Sequence, residues 1–509
     1  MLASLNTMVI NGIEATPVTV EVDLQPGLPG FELVGLASQA TREARERVRS
    51  ALRNSGFEFP NRKIVINLAP ADIKKEGSHF DLAIALGILI ASEQLEYISL
   101  DNYYFCGELS LNGDLRMVPG VLPMVLELAK RQADIAFIIP TGNSYEAGLV
   151  NEVKSFAADN LKDICNFFRG ESTLISVESY SHPDSSQDHI ADFADVKGQE
   201  SAKRALLIAA AGMHNILLIG PPGGGKTMLA RRLPGILPEM QREEILETTR
   251  IYSVAGLLNS NNPLINQRPF RAPHKNASSA SIIGGGRIPR PGEISLAQNG
   301  VLFLDEFPEF TRDVLEALRQ PLEDKVVTVA RAQATHTYPA NFALIAAMNP
   351  CLCGHFGSDL ECTCTPLQIQ KYLGRISGPL LDRMDLHVEV PRVKLEQLQD
   401  QGGGETSASL REKVIKARDI QQKRFARSKI KLNSQMRPAD VRKYCHLNDA
   451  SQDLLKSVFN RLHLSARAYD RVLKIARTIA DLEEAEKIET AHLAEALQYR
   501  SLDRKYWSN

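Results

Sequence analysis

A glycine-rich stretch lies between a short apolar run and a helical pattern, and its residue types suit one kind of chemistry. The run Ile216–Ile219 has the composition of a buried strand, and the residues after it fit the spacing G-x-x-x-x-G-K-[ST]. Glycines let consecutive backbone N–H groups curl around an anion, and the positive dipole end of the following helix attracts that anion. The alternative is a glycine-rich turn that binds nothing. The strand–loop–helix context favours a loop that binds the triphosphate of ATP through Gly220, Pro221, Pro222, Gly223, Gly224, Gly225, Lys226 and Thr227.

A second apolar run, Val301–Leu304, ends in two carboxylates, Asp305 and Glu306. Carboxylates at the carboxyl end of a buried strand suit the crevice of a parallel sheet. We expect Asp305 and Thr227 to hold the Mg²⁺ of the bound ATP, and Glu306 to orient and polarise the attacking water. Alone, this run is equally compatible with a core strand that precedes a surface helix. Downstream of a phosphate loop, it predicts ATP hydrolysis.

The elements that must position these residues indicate an α/β protein of about three domains. The predicted core has a parallel sheet and follows a smaller α/β domain, and basic amphipathic helices make up the rest. We predict these boundaries: an N-terminal α/β domain over 1–170, a polar linker over 171–190, the ATPase core over 191–397, a glycine-bearing connector over 398–409 and a helical domain over 410–509.

Bulk composition excludes several classes of protein. The 509 residues are 44% hydrophobic and 24% charged, with a formal net charge of -2, so the chain is not a wholesale polyanion binder. It has no run of 18 apolar residues and no signal-peptide pattern at its start, and we therefore expect a cytoplasmic protein without a membrane partner.

Four of the seven cysteines fall in one short loop: Cys351, Cys353, Cys362 and Cys364. Four soft thiolates favour a tetrahedral Zn²⁺ that is structural rather than catalytic. Cys-x-Cys is tighter than the usual zinc knuckle, so disulfide or redox pairing, an iron–sulfur cluster and free thiols remain alternatives. His355 could replace one of the ligands.

The N-terminal domain resembles the Lon-protease-like (ribosomal-S5-like) fold. The resemblance rests on residues 75–82, on Gly107-Glu108-Leu109 and on Pro119-Gly120-Val121-Leu122. It places His79 at the nucleophile position, with Ser78 one residue early, and Leu122 at the position of the lysine base. A Ser–Lys dyad needs that amine, so we expect the domain to lack peptidase activity and to serve in binding or assembly.

The predicted core resembles the magnesium-chelatase-like AAA+ ATPases. The motifs are Arg271-Ala272-Pro273-His274, Gly284-Gly285-Gly286, Pro291 to Ala297 and Leu380 to Leu386. Together with the Lon-like domain and the cysteine cluster, these motifs narrow the resemblance to the ComM/YifB family of bacterial competence-linked motors. The resemblance covers nearly the whole chain.

This resemblance implies further roles. Asn349, after a third apolar strand, matches a polar sensor of the γ-phosphate or water. Arg383 matches an arginine finger that completes a neighbouring subunit's site, although spacing alone favours a surface ion pair with Asp382 or Asp385. Arg467 matches the sensor-2 arginine, with Arg471 the competing choice. The resemblance also implies a ring, most often a homo-hexamer, assembled with or without the help of nucleotide or DNA.

Two stretches without acidic residues, 268–290 and 325–341, are candidate nucleic-acid contacts. Both match insertions that face the central channel of related rings, and point charges there would hold a phosphate backbone. The residues are Arg271, Lys275, Arg287, Arg290 and Arg331. Residues 411–437 carry ten Lys/Arg against two acids, which is also typical of a solvated helix face.

We therefore predict an ATP-driven AAA+ ring motor that acts on single-stranded or branched DNA as a helicase in branch migration. The alternative with the same motor core is a magnesium-chelatase-like ATPase that remodels proteins. An ATP-dependent protease is disfavoured by the missing lysine, and a non-catalytic scaffold by the complete set of ATPase residues.

Overall fold

A computed structural model describes residues 2–96, 100–131, 134–179, 191–259, 263–286, 289–331, 334–393, 396–397, 404–462 and 465–507. The chain divides into two compact units, Met1–Ser186 with Arg242–Asn266, and Gln187–Gln241 with Gln267–Asn509. The first unit is therefore discontinuous in sequence, whereas the sequence-based boundaries assigned residues 242–266 to the ATPase core. Arg287, residues 180–190 of the predicted linker and residues 398–403 of the predicted connector lie outside the described residues.

An eight-stranded mixed sheet with the order β10-β9-β8-β5-β1-β2-β4-β3 forms the frame of the first unit. Its strands are β1 (Leu2–Asn11), β2 (Glu14–Gln25), β3 (Gly30–Val34), β4 (Lys63–Ala69), β5 (Tyr103–Phe105), β8 (Ala136–Pro140), β9 (Lys154–Ala158) and β10 (Ile175–Ser176). A separate antiparallel ribbon joins β6 (Glu108–Leu109) to β7 (Leu115–Arg116). Because β10 pairs with β9, the beginning of the predicted linker is an edge strand of this sheet.

A helix that is apolar after its first residue, Asp81–Ala91, packs on β1 and β2, and all eleven of its residues are buried. The apolar residues over Phe80–Ser92 predict this helix, and the structure confirms it. A Cβ at Gly87 would lie 2.6 Å from Val22 Cγ2, so the close approach of helix and sheet requires glycine there. The remaining helices of this unit are Gln39–Arg42, Ala44–Asn54, Val121–Ala129, Ser144–Ala147, Leu161–Phe168 and Arg242–Ala255.

The helix Arg242–Ala255 follows the phosphate-loop helix in sequence but packs on the first unit's helix Val121–Ala129. The Arg250 Nε donates to the Ile13 carbonyl oxygen at 2.5 Å. The Ser253 hydroxyl donates to Glu146 Oε2, also at 2.5 Å, and Glu146 is only 2% exposed. Burial raises the pKa of Glu146, and the hydrogen bonds from Ser253 and Asn143 oppose that rise. The helix is therefore an integral part of the first unit.

A five-stranded sheet with the order β12-β15-β18-β11-β19 lies at the centre of the second unit. Its strands are β11 (Ile216–Ile219), β12 (Phe270–Arg271), β15 (Val301–Leu304), β18 (Ala343–Met348) and β19 (Leu386–Glu389). All four neighbouring pairs are parallel. Every residue of β11, β15 and β18 is buried, as expected for strands covered on both faces. The predicted parallel α/β core is confirmed.

Helices and two short hairpins surround this sheet. The hairpins pair β13 (Gly284–Gly285) with β14 (Arg290–Pro291), and β16 (Val326–Arg331) with β17 (Ala334–Pro339). The α-helices of this part are Glu200–Gly212, Lys226–Ile236, Ser279–Ile283, Glu293–Leu296, Arg312–Ala317, Arg319–Asp324, Pro366–Leu373 and Gly378–Leu381.

The C-terminal part is helical, as predicted. Its α-helices are Ser407–Arg424, Pro438–Tyr444, Asp449–Leu462, Ala466–Leu482, Thr490–Gln498 and Leu502–Trp507. The Thr406 hydroxyl accepts from the Ser409 backbone N–H and caps the first of them, which therefore begins within the predicted connector. Among the helices of the described ranges, none is long and apolar enough to span a bilayer.

Candidate active site

The phosphate loop connects β11 to the helix Lys226–Ile236, as the spacing predicts. A Cβ at Gly220 would lie 2.0 Å from the Val390 carbonyl oxygen, so only glycine fits there. Gly223 and Gly225 have φ values of +77° and +86°, a region that favours glycine. These glycines give the loop a shape in which its backbone N–H groups can surround an anion.

Lys226 is anchored by three oxygen atoms within this site. Its Nζ donates to the carbonyl oxygens of Gly220 at 2.6 Å and Pro221 at 3.0 Å, and to Asn349 Oδ1 at 3.1 Å. The side chain is largely buried, and burial lowers the pKa of Lys226. The structure thus brings the predicted sensor Asn349, at the end of β18, into contact with the predicted phosphate-binding lysine.

The two predicted magnesium ligands lie side by side. The Thr227 hydroxyl donates to Asp305 Oδ2 at 2.7 Å, and the other oxygen of Asp305 accepts from the Glu306 backbone N–H at 2.9 Å. A hydroxyl and a carboxylate are hard oxygen ligands of the kind that Mg²⁺ prefers beside a nucleotide's phosphates. The donor set therefore fits this ion.

Glu306 has an unusual backbone conformation and forms an ion pair with a lysine. Its φ of +52° lies in the left-handed region, which costs a non-glycine residue of order 1 kcal/mol and is typical of functional sites. Lys275 Nζ lies 2.5 Å from Glu306 Oε2, and this carboxylate raises the pKa of Lys275. Lys275, predicted to contact nucleic acid, thus contacts the carboxylate predicted to act on water.

The other predicted nucleic-acid contacts differ in how they are held. Arg271 makes a bidentate pair with Glu293, at 2.6 and 2.8 Å, which fastens β12 to the helix Glu293–Leu296. Arg290 and Arg331 are exposed on the two hairpins.

The two acid-free insertions lie together. A Cβ at Gly285 would be 3.0 Å from Arg331 Nη2, and the buried Tyr338 hydroxyl donates to the Pro289 carbonyl oxygen at 2.7 Å. The hairpins β13–β14 and β16–β17 therefore form one surface. In the sequence their residues belong to two separate stretches.

Arg383 is held by contacts within the chain, but by neither aspartate that spacing suggested. It donates to the carbonyl oxygens of Arg319 at 3.2 Å and Pro379 at 2.8 Å, and it pairs with the Glu323 carboxylate. Its side chain is 13% exposed, compared with 58% for Glu323. This partner lies 60 positions away and no sequence signal indicated it.

Asp385 has a different partner. Burial would raise the pKa of its carboxyl group, but Arg471, His214 and the Asn215 backbone N–H together hold that pKa far below its usual range. Arg471 therefore forms a buried ion pair with Asp385. Arg467, the preferred sensor-2 candidate, lies exposed in the first turn of the helix Ala466–Leu482.

Gln199 is a part of the site that sequence reasoning missed. Its Nε2 donates to the carbonyl oxygens of Gly224 at 3.1 Å and Pro391 at 2.6 Å, and so ties the phosphate loop to the segment after β19. The preceding Gly198 was the one available signal, and a single glycine does not specify such a contact.

The four clustered cysteines converge. Their Sγ atoms all lie within 4.8 Å of one another, and none is in a disulfide. Cys351 Sγ is 3.3 Å from Cys353 Sγ and 3.7 Å from Cys362 Sγ. Zn–S bonds of about 2.3 Å in a tetrahedron would separate the sulfurs by about 3.8 Å. The donor set therefore fits a zinc ion, and His355 is not part of it.

The Lon-like domain places its candidate catalytic residues in structural roles. His79 is 5% exposed, its Nε2 contacts the Met8 carbonyl oxygen at 2.9 Å, and burial lowers the pKa of its ring to about 4. The Ser78 hydroxyl donates to Glu108, and the buried Leu122 occupies the position where the resemblance calls for lysine. This arrangement contains no Ser–Lys dyad.

Family models match three parts of the chain. Residues 192–398 match "Magnesium chelatase, subunit ChlI", residues 404–500 match its C-terminal part, and residues 20–143 match "Subunit ChlI of Mg-chelatase". The competence protein ComM of Haemophilus influenzae is 49% identical over 498 residues, which cover 97% of this chain and 96% of that protein. The chain belongs to the ComM/YifB family.

One further relative matches nearly the full chain, and another matches a short part of it. The YifB protein of Salmonella typhimurium is 47% identical over 504 residues, or 99% of this chain and 98% of that protein. A Lon protease of the archaeon Methanothermobacter thermautotrophicus is 42% identical over 72 residues, or 14% of this chain and 10% of that protein. The family has a magnesium-chelatase-like AAA+ domain, so the protein is an ATPase, and its likeness to Lon is partial.

Proposed function

We propose that this ATPase is a ring motor that translocates on DNA and acts as a helicase in branch migration, during recombination or natural transformation. The observation that supports it best is the joined surface of the two acid-free hairpins, with Arg290 and Arg331 exposed. A relative that covers nearly the full chain is named a competence protein, and competence is the uptake of DNA. Both DNA and ATP are available to such a motor in the cytoplasm.

The geometry of the side chains around the phosphate loop suits ATP hydrolysis. Lys226, at the start of the phosphate-loop helix, neutralises charge on the β- and γ-phosphates. Thr227 and Asp305 would hold Mg²⁺, which when bound would offset the negative charge that develops on the phosphates. Glu306 accepts a proton from the attacking water, and Asn349, already in contact with Lys226, orients the γ-phosphate or that water.

Lys275 holds one of the two carboxylate oxygens of Glu306. Its ammonium lies 2.5 Å from Oε2 and competes with the attacking water for that oxygen. Lys275 belongs to the acid-free insertion proposed to contact DNA. DNA that attracts the insertion would draw Lys275 away from Glu306 and so accelerate hydrolysis.

The proposed ring is completed by arginines that act between subunits. Arg383 reaches the γ-phosphate of a neighbouring subunit once it separates from Glu323, and Arg467 contributes from the helical domain. A homo-hexamer is the assembly proposed. We favour Arg467 over its competitor Arg471 for the sensor role, since removing Arg471 from Asp385 would cost a buried carboxylate its ion pair.

Zn²⁺ is the proposed occupant of the four-cysteine cluster, as a structural ion with no open coordination position. The sulfur separations and the absence of disulfides among these residues support it. This part of the proposal predicts about one zinc per chain.

The ATPase rate measured with and without DNA tests the motor proposal. We expect branched DNA or single strands at low salt to bind the protein and to accelerate hydrolysis. A magnesium-chelatase-like remodelling ATPase, which shares this motor core, would ignore DNA and respond to a protein partner. Protein that is assembled with ATP, and that neither binds nor responds to branched DNA, would favour this alternative.

A further inference from the structure

The cysteine cluster lies directly against the phosphate loop. Gly354 follows Cys353, is buried and has a φ of +81°. A Cβ at Gly354 would lie 2.5 Å from Pro222 Cδ and 2.9 Å from its Cγ. Pro222 precedes Gly223 and Gly225, the two loop glycines with positive φ. Gly354 therefore closes one side of the phosphate-binding segment, with no room for a side chain.

The position of Gly354 depends on the cysteines rather than on regular secondary structure. From Pro350 to Thr365 the chain has neither helix nor strand. Contacts to the cysteines contribute to its order: the Cys351 carbonyl oxygen accepts from the Gly354 N–H at 3.1 Å, and Cys351 Sγ accepts from the Phe356 N–H at 3.3 Å. Cys364 Sγ accepts from the Cys353 N–H at 3.4 Å.

The same loop continues into two other parts of the second unit. Asn349, two residues before Cys351, contacts Lys226 at 3.1 Å, so the loop begins at the ATP site itself. Beyond Gly354, the Phe356 ring packs edge-on against Tyr506, with ring centroids 6.2 Å apart. The cysteine loop therefore links the phosphate loop to the C-terminal helix Leu502–Trp507.

We propose that metal ligation by the four cysteines holds the phosphate loop in its nucleotide-binding shape, so that ATP affinity depends on the bound metal. This inference rests on the proposed zinc site. Without ligation, residues 351–364 keep weak hydrogen bonds to sulfur, the Gly354–Cys351 backbone bond and the Phe356–Tyr506 contact, and these hold Gly354 against Pro222 less firmly. Phosphate binding needs several backbone N–H groups aimed at one anion, so a small displacement of the loop weakens all of them together.

Two glycines in the loop provide a matched pair of variants. Gly354→Ala pushes a methyl group into Pro222. Gly357→Ala introduces the same change at a similar φ of +74°, but its Cβ would make ordinary contacts, with the flexible Lys505 side chain at 3.5 Å and the Tyr506 hydroxyl at 4.0 Å. Both variants carry similar backbone strain, and only the first contacts the phosphate loop.

The experiment measures the metal content of each full-length protein by mass spectrometry and its affinity for a fluorescent ATP analogue. We expect all three proteins to hold about one zinc per chain. Gly354→Ala should bind the analogue about tenfold more weakly, the loss expected when a hydrogen bond to a charged group is misaligned. Gly357→Ala should bind it like the wild type.

A second arm removes the metal from wild-type protein with a chelator, which is then dialysed away before Mg²⁺ and the analogue are added. Affinity should fall by a similar factor and return with added Zn²⁺ alone, while circular dichroism shows that the fold persists. If affinity for the analogue is unchanged after the zinc is removed, the inference is wrong, although the zinc site itself is not contradicted. This arm uses wild-type protein, so it decides the question even if Gly354→Ala fails to fold. Wild-type protein that contains no zinc overturns the metal site and the inference together.

Discussion

At the scale of single residues, Glu306 and Lys226 should fail in different ways when they are replaced. Glu306→Gln removes the proton acceptor and leaves the phosphate contacts in place, so we expect ATP binding near wild type and hydrolysis slower by about 100-fold or more. Lys226→Ala should weaken binding itself, because it removes the buried ammonium beside Gly220 and Pro221. Nucleotide affinity and single-turnover hydrolysis distinguish the two.

Glu309→Gln is the control for these variants. It changes the same kind of side chain three residues further along, in a pair with Arg375. It should preserve hydrolysis. If Glu306→Gln and Lys226→Ala lose ATP binding equally, the assignment of Glu306 as the base is wrong.

Lys275 should restrain hydrolysis when DNA is absent. Lys275→Ala removes the ammonium 2.5 Å from Glu306 Oε2 and leaves that oxygen open to the attacking water. We expect a basal ATPase rate severalfold above wild type, and a smaller relative stimulation by DNA. Arg290→Ala is the matched control, because it removes a cation from the same insertion and should leave the basal rate unchanged. A Lys275→Ala protein that hydrolyses more slowly than wild type would instead make Lys275 part of the catalytic machinery.

At the scale of helices and strands, the sequence predicted the ATP site well, for a physical reason. In a parallel sheet the carboxyl ends of strands meet at one edge, so residues after β11, β15 and β18 must come together. This rule brings together Thr227, found from the glycine-loop spacing, Asp305, found at the end of its apolar strand, and Asn349, found from the family resemblance.

The partners of charged side chains could not be predicted in the same way. Glu323 and Arg383 are 60 positions apart, and Lys275 and Glu306 are 31 apart in sequence. Sequence spacing suggested Asp382 and Asp385, both close to Arg383 in the chain, as its ion-pair partners. A pattern of residue types shows which groups carry charge, but the pairing depends on how loops from different elements pack.

The helix Arg242–Ala255 shows the same limit for a whole element. Its amphipathic pattern indicates a helix with one buried face but does not tell which surface covers that face. Because its sequence position follows the phosphate-loop helix, we assigned it to the core, whereas Arg250 and Ser253 bond to Ile13 and Glu146 of the first unit.

This placement predicts that residues 2–186 alone form an incomplete domain. Without the helix, the buried Glu146 loses its bond from Ser253, and the apolar face of the helix Val121–Ala129 is uncovered. We expect a low and broad thermal transition by circular dichroism, raised by several degrees when a synthetic peptide of residues 242–266 is added. The same peptide with Arg250→Ala and Ser253→Ala should stabilise the domain less. A fragment that melts cooperatively and ignores the peptide would contradict this.

At the scale of the whole molecule, the proposed ring makes Arg383 act on a neighbour's ATP. Arg383→Ala subunits should bind ATP but not hydrolyse it, and Lys226→Ala subunits should bind it poorly. Mixed rings place an intact Arg383 beside an intact phosphate loop, so part of the activity should return. Mass photometry can confirm that mixed assemblies form. Mixed rings that stay inactive would assign Arg383 a role within its own subunit, in which its contacts to Glu323 and Arg319 are structural.

DNA binding should depend on the joined hairpins and should be steeply sensitive to salt. Each Lys or Arg that contacts phosphate releases counterions, so losing one contact reduces the log–log salt slope by about 0.9 on duplex and about 0.7 on single strands. Arg290→Ala and Arg331→Ala should each lower both affinity and slope, with similar effects on unrelated DNA sequences, because phosphate contacts carry no base information. Lys162→Ala removes an exposed cation from the first unit and should change neither. Fluorescence anisotropy over a salt series measures both quantities. If the hairpin variants keep the wild-type slope while the protein still binds DNA, the DNA path lies elsewhere, and the exposed basic residues of 411–437 become the next candidates.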